Sequence, residues 1–206
     1  MADGTQEPVG GEPTRDLARG AKRGEEGRFA ELYERIAPAV HAWATLRIRP
    51  EMRGHVDPED VVAEVWCRAW QAFARFDAEN ASFRAWVFQI AKNVMLEAFR
   101  KAQRAAPGGV AGGPSTRLFQ LQNVPDTATE VSRRIARHEG LQEMLGWAKG
   151  LDEDEQKLFL HCGLEGMSYA EVAERMQLEY DTVAKRWQKL REKAERFAVP
   201  RDLWVA

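Results

Sequence analysis

The sequence has few cysteines, and their positions do not suggest a disulfide or a structural metal site. Cys67 and Cys162 are its two cysteines, and neither lies in a Cys-x-x-Cys motif or at a spacing that builds a metal site. This pattern argues against a structural zinc site and a disulfide framework. Because free cysteine is among the most buried residue types, we expect both thiols to be reduced and buried.

Long apolar runs are also missing. No uninterrupted apolar stretch reaches the roughly 20 residues that cross a bilayer, so no membrane span is expected. The first 20 residues, MADGTQEPVGGEPTRDLARG, mix acids, glycine and proline without an apolar centre, which is not the pattern of a signal peptide. The sequence therefore predicts a disordered tail over residues 1–24 and a cytoplasmic protein.

Clusters of catalytic groups are absent as well. The four histidines are scattered along the chain, and none is paired in sequence with a nucleophile, a metal-binding cluster or a phosphate-binding loop. We therefore expect a protein that is not an enzyme, with no metal site and no cofactor.

The sequence lacks the alternating pattern of β-strands, and its apolar residues recur at helical spacing instead. One helix is predicted from Phe29 to about Arg47, a second after the capping signal Asp57-Pro58, and a third from Phe83. The glycine-rich stretch AAPGGVAGGPS then marks a linker. We predict an all-α protein of two small helical domains, at 25–104 and 129–198, joined by a flexible linker at 105–128 and followed by a tail at 199–206.

Three tryptophans fall on the apolar stripes of the second and third helices. Trp66 and Trp70 lie on the second stripe and Trp86 on the third. Aromatic side chains on such a stripe are predicted to pack in the core rather than to stack on a ligand.

The C-terminal part has the pattern of a helix-turn-helix. Ser168 and Glu171 form a capping box before a short helix, and a second helix follows with a basic face. In such a motif the second helix enters the major groove of DNA with its N-terminal half. The residues expected to project from that half are Asp181, Thr182, Lys185, Arg186 and Lys189. Charge alone also fits a solvated helix, so the prediction depends on the whole motif.

The first domain separates its charges. The start of the second helix, DPEDVVAE, is acidic, whereas the end of the third, KNVMLEAFRKAQR, is basic with a single acid. The acidic helix suits a basic partner and the basic helix suits phosphates.

These stretches resemble a known family. Residues 57–101 resemble region two of bacterial extracytoplasmic-function (ECF) sigma factors, in the sigma-70 family, and residues 168–193 resemble their region four. The resemblance implies a transcription initiation factor that binds core RNA polymerase and directs it to promoter DNA through −10 and −35 elements. Carried over by position, the polymerase contacts are Asp60, Glu64 and Arg68, the −10 contacts are Asn80, Ser82, Lys92, Asn93, Arg100 and Lys101, and the −35 contacts are the five residues of the second motif helix.

A second function stays open at this point. The helix-turn-helix alone also fits a transcriptional repressor or activator whose N-terminal domain senses a ligand or dimerises. The acidic and basic helices of the first domain favour the sigma factor. The sequence leaves open whether an anti-sigma factor is a further partner. It also leaves open the role of the segment 47–55, whose Arg47, Arg49 and Arg53 could contact DNA or polymerase.

Overall fold

The computed structural model describes residues 14–25, 27–48, 52–53, 55–79, 81–105, 135, 139–197, 199 and 204. Within these ranges the chain contains helices and no strand, which confirms the prediction of an all-α fold. The helices are α1 (Thr14–Lys22), α2 (Arg28–Arg47), α3 (Pro58–Ala72), α4 (Phe83–Ala105), α5 (Glu139–Lys149), α6 (Glu153–Leu158), α7 (Tyr169–Met176) and α8 (Tyr180–Arg196). A 3₁₀ turn (Phe73–Arg75) follows α3, and a π turn (Phe159–Leu164) follows α6.

The N-terminal module consists of α1 to α4. As predicted, Asp57 caps α3: its carboxylate accepts a hydrogen bond of 2.7 Å from the backbone nitrogen of Glu59, and Pro58 occupies the first helical turn. The core between α2, α3 and α4 is rich in aromatic rings. Phe29 packs edge-on against Trp66 and Phe73, with ring centroids 5.7 and 4.9 Å apart.

The three tryptophans differ in burial. Trp66 is buried and Trp86 is half-buried, as expected for core residues. Trp70 is 55% exposed, so its assignment to the core is wrong. Its ring stacks on Trp66 at 5.9 Å and meets Phe29 of α2 edge-on at 5.0 Å, and the rest of the ring is exposed to solvent.

Part of the expected N-terminal tail is helical. The tail was predicted to be disordered to residue 24, but Thr14–Lys22 forms α1, with Leu17 and Ala18 buried. Arg19 donates two hydrogen bonds of 2.7 Å to the carboxylate of Glu79. Two apolar residues within a polar stretch are enough to dock one face of a short helix, although the composition alone suggests disorder.

The C-terminal module consists of α5 to α8. Ser168 and Glu171 form the predicted capping box at the start of α7. The turn into α8 includes Gln177 in the left-handed conformation, with φ of 56°. Val172 and Val183 are buried where α7 and α8 cross, so the helix-turn-helix is formed as predicted.

Val199 and Trp204, from the segment where the sequence predicted a tail, also pack on this module. Val199 is buried, and the buried Trp204 ring lies 5.7 Å from Trp187 and 6.2 Å from Phe159. Gly163 is required beside them, because a Cβ at this position would lie 2.9 Å from the Trp187 ring.

The two modules pack against each other, which the sequence did not predict. α2 contacts α5 and the π turn, and Arg84 of α4 donates hydrogen bonds to the carbonyl oxygens of Gly163 and Leu164. Burial lowers the pKa of the Arg84 guanidinium to about 10.

Apart from Ala105, the predicted linker at 105–128 lies outside the described residues, and the domain limits stay predictions.

Cys67 is half-buried and Cys162 is buried, and both are free thiols. Burial raises the pKa of the Cys162 thiol to about 12, which keeps it protonated and unreactive at neutral pH. None of the helices described here is both long enough and apolar enough to cross a membrane.

Candidate functional site

The predicted polymerase contacts lie on one face of α3. Asp60, Glu64 and Arg68 follow one another at intervals of four residues, which places them side by side on a helix. Arg68 donates a hydrogen bond of 2.7 Å to Glu64 and a bidentate pair of 2.9 and 2.6 Å to Glu97 of α4. These four residues are called the α3–α4 acidic cluster below.

Sequence reasoning missed Glu97. It is the one acid within the basic segment of the third helix, and only the packing of α3 against α4 brings it to Arg68. The hydrogen bonds from Arg68 lower the pKa of Glu97, and those bonds also raise the pKa of Arg68. The cluster itself contains three acids and one arginine, and the charges of Lys101 and Arg100 on α4 also act on Glu97.

The loop between the 3₁₀ turn and α4 contains two of the predicted −10 contacts. Asn80 lies outside the described residues. Ser82 is exposed, and its hydroxyl accepts a hydrogen bond of 3.4 Å from the backbone nitrogen of Ala85. Ser82 therefore stabilises the first turn of α4 in addition to the role predicted for it.

The structure separates the four predicted −10 residues of α4 into two groups. Asn93, Arg100 and Lys101 are exposed. Asn93 and Arg100 are seven residues apart and share a face, because a helix turns about 100° per residue. Lys92 lies about 100° around the helix from Asn93 and faces the other module. Its ammonium nitrogen lies 2.7 Å from a carboxylate oxygen of Glu165, in an ion pair between the modules.

The predicted −35 contacts lie on the solvent side of α8. Asp181, Lys185, Arg186 and Lys189 are exposed and Thr182 is half-exposed. The opposite stripe of the helix, with Val183, Trp187, Leu190 and Ala194, is buried in the module. This arrangement leaves the N-terminal half of α8 accessible to a groove of DNA.

Arg186 is turned toward α6. Its guanidinium lies 3.2 Å from the Asp154 carboxylate, and both side chains are about half-exposed. About two turns later, Lys193 forms a second ion pair with α6, at 2.7 Å from Glu155. These two pairs connect α8 to α6 at the surface of the module.

Nothing in the described part of the chain resembles a metal site, since it contains no cluster of three histidine, cysteine or acidic residues suited to an ion.

The comparisons with known proteins match both modules. Residues 32–105 match the family model of sigma-70 region 2, and residues 148–193 match that of sigma-70 region 4. The ECF RNA polymerase sigma factor RpoE of Cereibacter sphaeroides is 29% identical over 115 residues, which are 55% of this chain and 61% of RpoE. The chain belongs to the ECF group of the sigma-70 family. It is therefore a transcription initiation factor and not an enzyme, and the repressor or activator interpretation is not favoured.

Two other similar proteins extend the match along the chain. The RNA polymerase sigma factor NccH of Alcaligenes xylosoxydans xylosoxydans is 29% identical over 160 residues, which are 76% of this chain and 79% of NccH. The ECF RNA polymerase sigma factor BldN of Streptomyces coelicolor is 24% identical over 158 residues, 77% of this chain and 55% of BldN. A solved structure of CnrH in complex with the cytosolic domain of CnrY covers 90% of this sigma factor and 96% of that chain, at 24% identity and a TM-score of 0.41.

Proposed function

We propose that this sigma factor binds core RNA polymerase through the α3–α4 acidic cluster and binds promoter DNA through α4 and α8, in the cytoplasm. The observation that carries the polymerase contact is the charge of the cluster: two carboxylates and one arginine lie on the capped helix α3, and a third carboxylate, that of Glu97, lies beside them on α4. Such a surface suits a basic partner, whereas it repels the phosphates of DNA. Arg68 holds Glu64 and Glu97 in fixed positions, so the surface is ordered before the partner binds.

The −10 element is assigned to the exposed face of α4 and the loop before it. Asn93, Arg100 and Lys101 offer an amide and two cations there, which suits phosphate and base-edge contacts with separated strands. Asn80 stays part of the proposal on the family resemblance alone. Lys92 also stays part of it, on condition that it leaves Glu165.

The −35 element is assigned to the N-terminal half of α8. The exposed residues Lys185, Arg186 and Lys189 occupy positions from which a recognition helix contacts the major groove and the phosphates beside it. Binding of an anti-sigma factor stays a prediction.

The polymerase contact is tested with Glu64→Lys. We expect this variant to compete poorly for core polymerase and to lose run-off transcription, because it reverses one charge of the cluster and places a cation beside Arg68. Circular dichroism must show unchanged helix content, since Glu64 lies on the polar face of α3.

Glu143→Lys on α5 is the matched control, because it makes the same charge change at an exposed position outside the proposed contact. Holoenzyme assembly by Glu64→Lys at the level of Glu143→Lys contradicts the proposed polymerase surface.

A further inference from the structure

One buried carboxylate lies at the contact between the two modules. The side chain of Glu165, directly after the π turn, is 0% exposed. The indole nitrogen of Trp43 donates to it at 2.7 Å, and Arg47 donates at 3.3 Å. The remaining neighbours are Lys92 at 2.7 Å, His161 at 3.4 Å and Arg175 at 3.8 Å. These five residues with Glu165 are called the Glu165 cluster.

The cluster has more positive than negative charge. Three permanent cations, Arg47, Lys92 and Arg175, surround one carboxylate. Two of them belong to the N-terminal module, on α2 and α4, and they bind the two different oxygens of the carboxylate. An arginine and a lysine placed in this way around two oxygens of one anion also suit a phosphate group.

The cations are within reach of solvent although the carboxylate is not. The side chains of Arg47, Lys92 and Arg175 are 35%, 28% and 46% exposed. Arg47 and Arg175 also line a cavity of about 460 Å³, together with Asp154, Lys157 and His161. An anion from solution can therefore approach Arg47 while the modules are still docked, whereas Lys92 does not line this cavity.

The buried ions contribute less to the docking contact than their short distances suggest. Burying the Glu165 carboxylate and the Arg84 guanidinium costs desolvation free energy that offsets much of the attraction between the ions. A ligand that binds only the separated modules can therefore shift the equilibrium toward separation.

We propose that Arg47 and Lys92 form a binding site for a phosphate group of promoter DNA, and that Glu165 occupies this site in the free sigma factor and thereby inhibits DNA binding. This inference rests on the proposed function in one respect, which is that the ligand is DNA. The docked modules and the DNA compete for the same two cations, so opening of the Glu165 cluster and DNA binding are coupled. For Arg47 the sequence left both DNA and polymerase open as partners, and this proposal assigns it to DNA.

The test uses the full chain without polymerase and compares Glu165→Gln with the unmodified protein. The radius of gyration from small-angle X-ray scattering reports module separation. Fluorescence anisotropy with a labelled single-stranded DNA of mixed sequence reports binding. We expect a larger radius and DNA binding at least about fivefold tighter, the lower end of typical coupling between sites.

Two further variants separate this effect from simple electrostatics. Glu143→Gln removes one negative charge at an exposed position on α5, so it changes net charge equally and is expected to leave both readouts unchanged. Adding Arg47→Gln and Lys92→Gln to Glu165→Gln should remove the gain in affinity while the radius stays large.

Trp43→Phe covers the case in which Glu165→Gln does not fold, because it keeps an aromatic ring and removes one hydrogen bond to Glu165. It should also increase the radius, whereas Trp66→Phe, whose indole nitrogen is buried without a partner, should not. An unchanged radius in folded Glu165→Gln overturns the docking role, and a larger radius without tighter DNA binding overturns the shared site. Loss of polymerase binding by Glu64→Lys bears only on the proposed function, since no polymerase is present here.

Discussion

Glu165 and Glu97 are carboxylates that each bind basic side chains from another helix, but they do so in very different surroundings. Glu165 is fully buried between two modules, whereas the side chain of Glu97 is 44% exposed on the surface of one module. Water screens the Glu97 pair, and the charges lose little solvation when it forms. The Glu165 cluster has lost that solvation, so each of its ions depends on the others. Similar ion-pair distances therefore have different consequences: a surface pair orients side chains, and a buried cluster couples two modules.

The largest effect is expected from removing the buried carboxylate. Glu165→Ala should lower the free energy of unfolding by about 3–5 kcal/mol, because it leaves three cations facing one another without their anion. Separation of the modules relieves this repulsion, so the loss cannot exceed the free energy of docking. Glu97→Ala should cost less than about 1 kcal/mol, the usual value for an exposed pair.

Urea unfolding followed by circular dichroism measures both variants. Equal losses for the two variants would show that burial makes no difference to these ion pairs.

The next effect is a dependence on pH. Burial alone raises the pKa of Glu165, but contacts with His161, Lys92 and Trp43 outweigh it and lower the pKa to about 2. Arg47 and Arg175 face the same carboxylate. Because the folded pKa is below the ordinary value of 4.5, the stabilisation by Glu165 is present above about pH 4.5 and is lost as the pH falls toward 2.

The measurement compares unfolding of the unmodified chain with that of Glu165→Gln, which resembles the protonated state. The difference between them should be constant near neutral pH and shrink below about pH 4.5. Other carboxylates titrate in both proteins, so their effects cancel in this difference. A difference that stays constant down to about pH 3 contradicts the assigned role of the Glu165 charge.

Local sequence signals predicted the helices and the two motifs well. Asp57-Pro58 and the pair Ser168 and Glu171 are capping signals whose contacts lie within three residues, so they can be read without a fold. The apolar stripe of α8 likewise follows from helical spacing.

Contacts between distant segments could not be read in the same way. Glu97 and Arg68 are 29 residues apart, and Trp43 and Glu165 are 122 residues apart. Nothing near Glu165 in the sequence GLEGMSY shows that it is buried. Its role depends on how α2 and α4 meet the π turn, and the same docking brings Lys92 to Glu165. The helix α1 was missed for a related reason. Its few apolar residues are buried because α1 packs against α2, and the sequence does not show that contact.

The smallest change in stability is expected from Arg186→Ala, which separates an ion pair's structural role from a contact with DNA. Removing the exposed pair with Asp154 should cost less than about 1 kcal/mol. Asp154→Ala is the matched control because it breaks the same pair and keeps Arg186.

If Arg186 contacts a guanine edge, its removal alone should relax preference at one −35 position, with a loss of about 1–3 kcal/mol in discrimination. A phosphate contact would instead weaken binding to all sequences alike and reduce the salt dependence. Transcription with core polymerase across a randomised −35 element measures the preference, and circular dichroism checks the fold. Wild-type activity and preference in a folded Arg186→Ala would show that this side chain only holds α8 against α6, like Arg68 between α3 and α4, and does not read DNA.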